Sequence, residues 1–254
     1  MEVVMIDIHS HLLPGIDDGS RSFDMSLDML AMAADSGTHV IVSTSHCNIP
    51  GYYDNYVSDQ LLDLWNQLNA LKQEAGIPIH LLRGMEVYAT EELPDLLKSG
   101  RVWTLNGTKY FLMEFGFDED PAFCAHILPA CVALGYHPII AHPERYYFVQ
   151  DDPRIAYAWC VSGYGLQLNK DSILGRFGHR EKACAEALLR HNLAACVASD
   201  AHRSHVRTTS LAGVRDVLMS LVGSEYTELL LERNPDRILQ GKQMLGYAPV
   251  PFEM

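Results

Sequence analysis

Nine residues of this chain have side chains able to hold metal ions, and they recur in short motifs along its length. They are His9 and His11 in DIHSH, Asp18 in GIDDG, His46 in TSH, Glu86 in GMEV, Glu114 in LMEF, His142 in AHPER, and Asp200 with His202 in SDAH. Imidazole nitrogen and carboxylate oxygen together suit Zn2+, Mn2+ or Fe2+, whereas a soft thiolate site would draw on the cysteines. Any one of them alone reads as a surface residue or a satisfied core residue. As a set they do not, because burying uncompensated histidines and carboxylates costs on the order of several kcal/mol each. Nine ligands exceed what one or two ions need. Three metal ions are the natural count, and metal-dependent hydrolysis is the chemistry expected.

The elements that must position these residues alternate along the chain. Apolar, β-rich runs occupy residues 3–8, 39–44, 79–83, 110–115, 138–141, 165–168 and 194–198. Stretches of helical periodicity lie between them, among them SLDMLAMAADSG, YVSDQLLDLWNQLNALKQEAG, AFCAHILPACVALG, DPRIAYAWCVSGYG and EKACAEALLRHN. Gly37, Gly76 and Gly135 follow three of these and suit helix C-caps. Such a repeat, with strands apolar throughout, predicts a parallel sheet covered by helices. Every run but the sixth ends in His, Asp or Glu, and the sixth ends in Gln167 and Asn169. Polar groups at all the strand ends meet at one point only if the sheet closes, so a (β/α)7 barrel is expected over an open sheet. In DIHSH the two imidazoles share a face, since side chains alternate with period two.

Bulk properties narrow the partners. The 254 residues can bury a full core, and 48% hydrophobic with 20% charged residues describes an ordinary globular chain. A formal charge of −13 disfavours nucleic acid. No apolar run approaches the ~18 residues of a membrane span. The start of the chain has no basic region ahead of its apolar stretch, so a cytoplasmic location is expected. The six cysteines form no CxxC pair and read as reduced, buried thiols. Cys184 and Arg190 do make a C-x5-R match, but AEALL between them is helix-forming and has no glycine to wrap a phosphate. Arg145 and Arg207 lie just beyond ligand motifs and suit an oxyanion or phosphate clamp, or surface ion pairs. Tyr52, Tyr53 and Tyr56 either line a pocket for an aromatic group or pack a loop.

Nearly end to end, the chain resembles the polymerase-and-histidinol-phosphatase (PHP) superfamily and, within it, the bacterial tyrosine-protein phosphatases of the CpsB/YwqE type. DIHSHLLPGIDDG is similar to the first family motif, with the IDDG turn as the mark of the subfamily. TSH, GMEVY, LMEF, AHPER, LQLNKDSILGRFG and SDAH follow in the family's order, and NPDRILQG resembles its closing segment. The resemblance implies a distorted TIM-like (β/α)7 barrel, a single domain over residues 1–254, and a trinuclear site. His9, His11, Glu86 and Asp200 would hold one ion. Glu86 would bridge to a second, held also by Glu114 and His142. Asp18, His46 and His202 would hold the third. Mn2+ is the implied ion, with Fe2+, Co2+ or Zn2+ as alternatives.

Other branches place His where this chain has Asp18 and Glu114, and Arg145 and Arg207 fall where the subfamily has its phosphate-binding arginines. At the second strand the family often reads TPHH; here Thr44-Ser45-His46-Cys47 keeps the ligand and alters the loop. The implied activity is protein-tyrosine phosphatase, by attack of a metal-bridging hydroxide. The implied substrate is the tyrosine-rich tail of a bacterial tyrosine kinase that controls capsular or exopolysaccharide export. A tyrosinate leaving group, with a pKa of about 10, needs little proton assistance. The alternatives are a histidinol-phosphatase-like phosphomonoesterase on the same fold, an amidohydrolase, and a non-catalytic metal-holding scaffold.

Overall fold

The computed structural model describes residues 4–253; Val3, at the start of the first expected strand, lies outside them. The seven apolar runs appear as nine strand segments. These are β1 (Met5–Ser10), β2 (Thr38–Ser43), β3 (His46–Cys47), β4 (His80–Arg83), β5 (Glu86–Tyr88), β6 (Tyr110–Glu114), β7 (His137–Ala141), β8 (Gly165–Asn169) and β9 (Cys196–Ala198). The second and third runs are each carried past a break, at Thr44-Ser45 and at Gly84-Met85. A Cβ on Gly84 would come within 3.0 Å of Val42 and 3.1 Å of both Leu105 and Thr44, so only glycine passes there without displacing them.

Every pairing between the strands is parallel, as expected. Hydrogen bonding divides them into two sheets, β1-β2-β4 and β3-β5-β6-β7-β8-β9, rather than one uninterrupted sheet. Backbone bonds cross both gaps. Gly84 and Glu86 donate to the Ser43 and Thr44 carbonyls at 3.0 and 3.2 Å, and Asp200 donates to the His9 carbonyl at 2.9 Å. His11 donates in turn to the Ala201 carbonyl at 2.8 Å.

The helices are α1 (Phe23–Asp35), α2 (Asp59–Glu74), α3 (Leu93–Ser99), α4 (Pro121–Ala133), α5 (Tyr147–Asp151), α6 (Arg154–Val161), α7 (Lys170–Ile173), α8 (His179–Arg190), α9 (Ala212–Glu228) and α10 (Asn234–Leu239). Ser22, Ser58 and Asp120 cap the first, second and fourth through their side-chain oxygens, satisfying amides that the first turn leaves free. Gly37, Gly76 and Gly135 close three helices with φ of 88°, 66° and 80°, the left-handed geometry expected of C-caps.

Two apolar clusters explain why the strands are apolar on both faces. Met5, Ile41, Phe111, Met113, Ile140, Leu166, Leu168 and Val197 pack outward with the helices. Ile6, Ile8, Val42, Leu112, Ile139, Ala141, Cys196 and Ala198 meet in a smaller cluster, with Ile238 and Leu239 of α10 beneath. Strands of both sheets feed that inner cluster. Five of the six free cysteines are buried, and none is bonded.

Tyr146 stitches the ends of two central strands. Its hydroxyl donates to the Ala141 carbonyl at 2.7 Å and accepts from the Phe115 amide at 3.0 Å, with the ring fully buried. Tyr146→Phe strands both partners away from water and should cost about 1–3 kcal/mol in urea unfolding with an unchanged m value. An unshifted midpoint would refute that role.

Candidate metal centre

All nine expected ligands meet above the inner apolar cluster, at the carboxyl ends of the strands. His9 and His11 direct their Nε2 atoms at each other, 3.3 Å apart. Both nitrogens also face Glu86 Oε2, at 3.2 and 3.3 Å, and Asp200 Oδ1, at 3.4 Å each. On the other side of Glu86, His142 Nε2 lies 2.9 Å from Oε1 and 3.5 Å from Glu114. His46 Nδ1 approaches Glu86 at 3.0 Å and Glu114 at 3.4 Å. Asp18 completes the group, 3.3 Å from His202 Nε2 and 3.6 Å from His46 Nε2.

Three sets of donor atoms lie close enough to share an ion: His9, His11, Glu86 and Asp200; His11, Asp18, His46 and His202; and His46, Glu86 and Glu114. The first matches the set implied by resemblance. The second adds His11 to the expected trio. In the third, His46 accompanies the two glutamates that His142 reaches from its own side.

Regular strand alternation does not deliver all of these side chains. In β1, Ile6 and Ile8 already face the inner cluster, so His9 should face outward. A bulge corrects this: Asp7 pairs with Ile41 and Ser10 with Ser43, three steps against two, and the extra residue turns both histidines inward. In β7, Ile139 and Ala141 face inward, and His142 follows them through a left-handed backbone, φ 34°. Asp200 and Arg207 share that geometry, at 48° and 49°. Each such non-glycine residue costs on the order of 1 kcal/mol or more, and here the cost falls within one site.

Neighbouring acceptors, two of them outside the nine donors, set the tautomers. His9 Nδ1 donates to Gln167 Oε1 at 2.7 Å, His11 Nδ1 to Asp17 Oδ2 at 2.9 Å, and His202 Nδ1 to the Asp200 carbonyl at 2.9 Å. Because these partners are acceptors, the Nε2 atoms are left as bare lone pairs aimed at the cluster. Asp17 also accepts from the His46 and Gly19 amides. A Cβ on Gly19 would sit 2.4 Å from that of His11, which fixes glycine at the end of the IDDG turn. The signal for Asp17 in the sequence is only its place beside Asp18.

These contacts test whether cations fit. Glu86 Oε2, His46 Nδ1 and His202 Nε2 are buried without a hydrogen-bond partner, and two lone pairs oppose each other between His9 and His11. Divalent ions satisfy all of them. Protons are the other option. Burial depresses the His9 and His11 pKa values, but Glu86 and Asp200 around His9, and Asp17 beside His11, outweigh it and raise both. His46 is lifted to about 9: burial opposes, and the Glu86 charge prevails. Burial lowers His142 and His202 to about 4. Glu114 is raised by burial and by the neighbouring Glu86 charge.

Arg145, in the turn after β7, reaches Asp200 Oδ2 at 3.3 Å, and Arg207 reaches the same oxygen at 2.6 Å. Asp200 thus shows one oxygen to the histidines and the other to two guanidiniums. The tyrosine cluster divides. Tyr53 stacks on His46 with 5.7 Å between centroids and 4° between planes, Tyr56 packs in the loop through Asn48, and Tyr52 is solvent-exposed. Cys47 is buried in the core with its thiol pushed up to about 12, so the altered second-strand motif adds no ligand. Cys184 lies in α8 with its thiol likewise at about 12 through burial, unsuited to nucleophilic attack.

Cation binding needs bare nitrogens, and His9, His11 and His46 have raised pKa values. Their protons must therefore leave as ions enter. Affinity for Mn2+ should fall as pH drops from about 9 towards 6.5. Calorimetry at pH 7 in two buffers of different ionisation enthalpy should register proton release; identical heats in both would refute it.

Known proteins resemble this chain over almost its whole length. A family model described as capsular polysaccharide synthesis, CpsB/CapC, matches residues 5–240. Tyrosine-protein phosphatase YwqE of Bacillus subtilis is 34% identical over 98% of this chain and 97% of its own length. Tyrosine-protein phosphatase CpsB of Streptococcus agalactiae is 30% identical over 93% and 98%. A solved structure from work on YwqE of Bacillus subtilis and CpsB of Streptococcus pneumoniae, described as unique metal-dependent tyrosine phosphatases, superposes with a TM-score of 0.91. It is 33% identical and covers 98% of this chain and all of its own. The chain belongs to the CpsB/CapC family of capsular polysaccharide synthesis proteins.

Proposed function

We propose that this protein is a metal-dependent protein-tyrosine phosphatase. The carrying observation is the convergence of nine metal-binding side chains, most of them buried, beside two arginines that share one of them, Asp200. The names of the relatives support the phosphotyrosine assignment. The seven strand units form a distorted (β/α)7 barrel, one PHP domain over residues 1–254. This reading draws support from the inner cluster fed by both sheets and the backbone bonds across both gaps. The physiological substrate is the tyrosine-rich tail of a bacterial tyrosine kinase in capsule or exopolysaccharide synthesis, which this protein meets in the cytoplasm; the family description supports the capsule context. Among the described residues no helix is long and apolar enough to cross a membrane.

His9, His11, Glu86 and Asp200 would hold one divalent ion, Glu86, Glu114 and His142 a second, and Asp18, His46 and His202 a third, with Mn2+ the preferred ion and Fe2+, Co2+ or Zn2+ able to replace it. When bound, these ions supply positive charge and water activated near neutral pH. The chain itself supplies orientation. Arg145 and Arg207 turn their N–H forks from Asp200 Oδ2 to the non-bridging oxygens of the phosphoryl group. Their fixed charge offsets what builds there as the ester bond breaks. Tyr53, parallel to His46, offers an aryl ring a stacking face; the names of the relatives favour phosphotyrosine over histidinol phosphate.

Release of phosphate from a phosphotyrosyl peptide should exceed that from histidinol phosphate; the reverse order would overturn the substrate assignment. Chelation should abolish the activity and added Mn2+ should restore it. Arg145→Ala should lower kcat/KM about a hundredfold, while Cys184→Ser should leave it unchanged. Loss of activity in the cysteine variant would sink the metal-based account.

A further inference from the structure

The eighth strand and the segment after it contribute no candidate ligand, yet several side chains there touch the site or its supports. Gln167 holds His9, and Asn169 donates to Asp200 Oδ2 at 2.6 Å. Lys170 follows, fully buried at the start of α7. Its ammonium donates to the Thr208 carbonyl and, at 3.1 Å, to the Ser210 carbonyl. Among the described residues, no carboxylate lies within ion-pair distance of it. A buried lysine is thus committed to two carbonyls of the loop that begins with Arg207. The same loop is tied at its other end, where the His202 amide donates to the Arg207 carbonyl at 2.8 Å.

Phe177 lies further along the segment, half-buried. The Arg145 guanidinium carbon stands 4.7 Å from its ring centroid, and that of Arg207 stands 5.6 Å away. Phe117, from the loop after β6, covers Arg145 from a second side, also at 4.7 Å. Two guanidiniums held this close repel each other and carry flexible stems. An aromatic face attracts the flat face of a guanidinium and leaves its in-plane N–H groups free. Asp200 already takes one N–H of each guanidinium, and a further hydrogen-bonding brace would occupy more of the donors that an oxyanion needs.

We infer that Lys170 and Phe177 are positioning residues for the arginine pair: Lys170 fixes the backbone that carries Arg207, and Phe177 fixes both guanidinium planes. Anchor and brace come from one continuous segment. This inference rests on the arginines binding phosphate, as proposed above, and adds what presets them.

The test uses the Mn2+-loaded protein, with inorganic phosphate binding by calorimetry and p-nitrophenyl phosphate kinetics read together. Phe177→Leu keeps an apolar side chain and removes the aromatic face. It should weaken phosphate binding and raise KM about tenfold, with kcat within about twofold of the parent. Phe177→Tyr restores the face and should bind phosphate like the parent. Lys170→Met should act in the same direction as Phe177→Leu. With both arginines replaced by alanine, Phe177→Leu should weaken phosphate binding no further. Parent-like phosphate binding by Phe177→Leu would overturn the inference, as would equal loss in the Leu and Tyr variants or a full extra loss without the arginines. If Arg145→Ala and Arg207→Ala leave phosphate binding untouched, the phosphate clamp itself falls, a result distinct from any behaviour of Phe177.

Discussion

Glu86 is fully buried, and four imidazoles surround it: three face one of its oxygens and the fourth faces the other. A carboxylate in that position holds its charge only if positive charge of equal weight sits beside it. His9 and His46 pull its pKa well below the usual range against the opposing effect of burial. The strand ends, the pinned tautomers and the left-handed residues all serve this one electrostatic requirement. Protons and divalent ions are two ways of meeting it, and they compete for the same lone pairs. The arginines extend the balance outward, since Asp200 is shared between the histidine lattice and the guanidinium pair.

Division of labour along the strands follows. Their lower halves send Ile, Val, Leu and Ala into the small inner cluster, and their upper ends send donors into the site. The apolar floor excludes water from the donors above it, which strengthens every interaction among them. Tyr146, packed in the outer cluster, ties the ends of β6 and β7 together beside Glu114 and His142.

Much of this is legible in the sequence, for a physical reason. Apolar runs that end in His, Asp or Glu have few uses besides a buried polar site, so the nine donors and the parallel strands can be read from local pattern. What local pattern does not carry is long-range. The breaks at Thr44-Ser45 and Gly84-Met85, which divide the strands into two sheets, depend on packing against Val42 and Leu105. Asp17 looks like a second turn carboxylate until its bond to His11 is seen. Lys170 and Phe177 sit in a motif without donors, and their partners lie some thirty or more residues away. The tyrosines show the same limit: identical residues within a five-residue stretch face three different environments.

The bulge in β1 behaves as a frame marker. On its amino side, even-numbered residues face the apolar interior; on its carboxyl side, odd-numbered ones face the donor site, and these are His9 and His11. Strict alternation would put Ile8 and His9 on opposite faces, so without the extra residue one strand could not offer both adjacent side chains to the interior. One added backbone step thus lets β1 furnish floor and donors in an unbroken sequence.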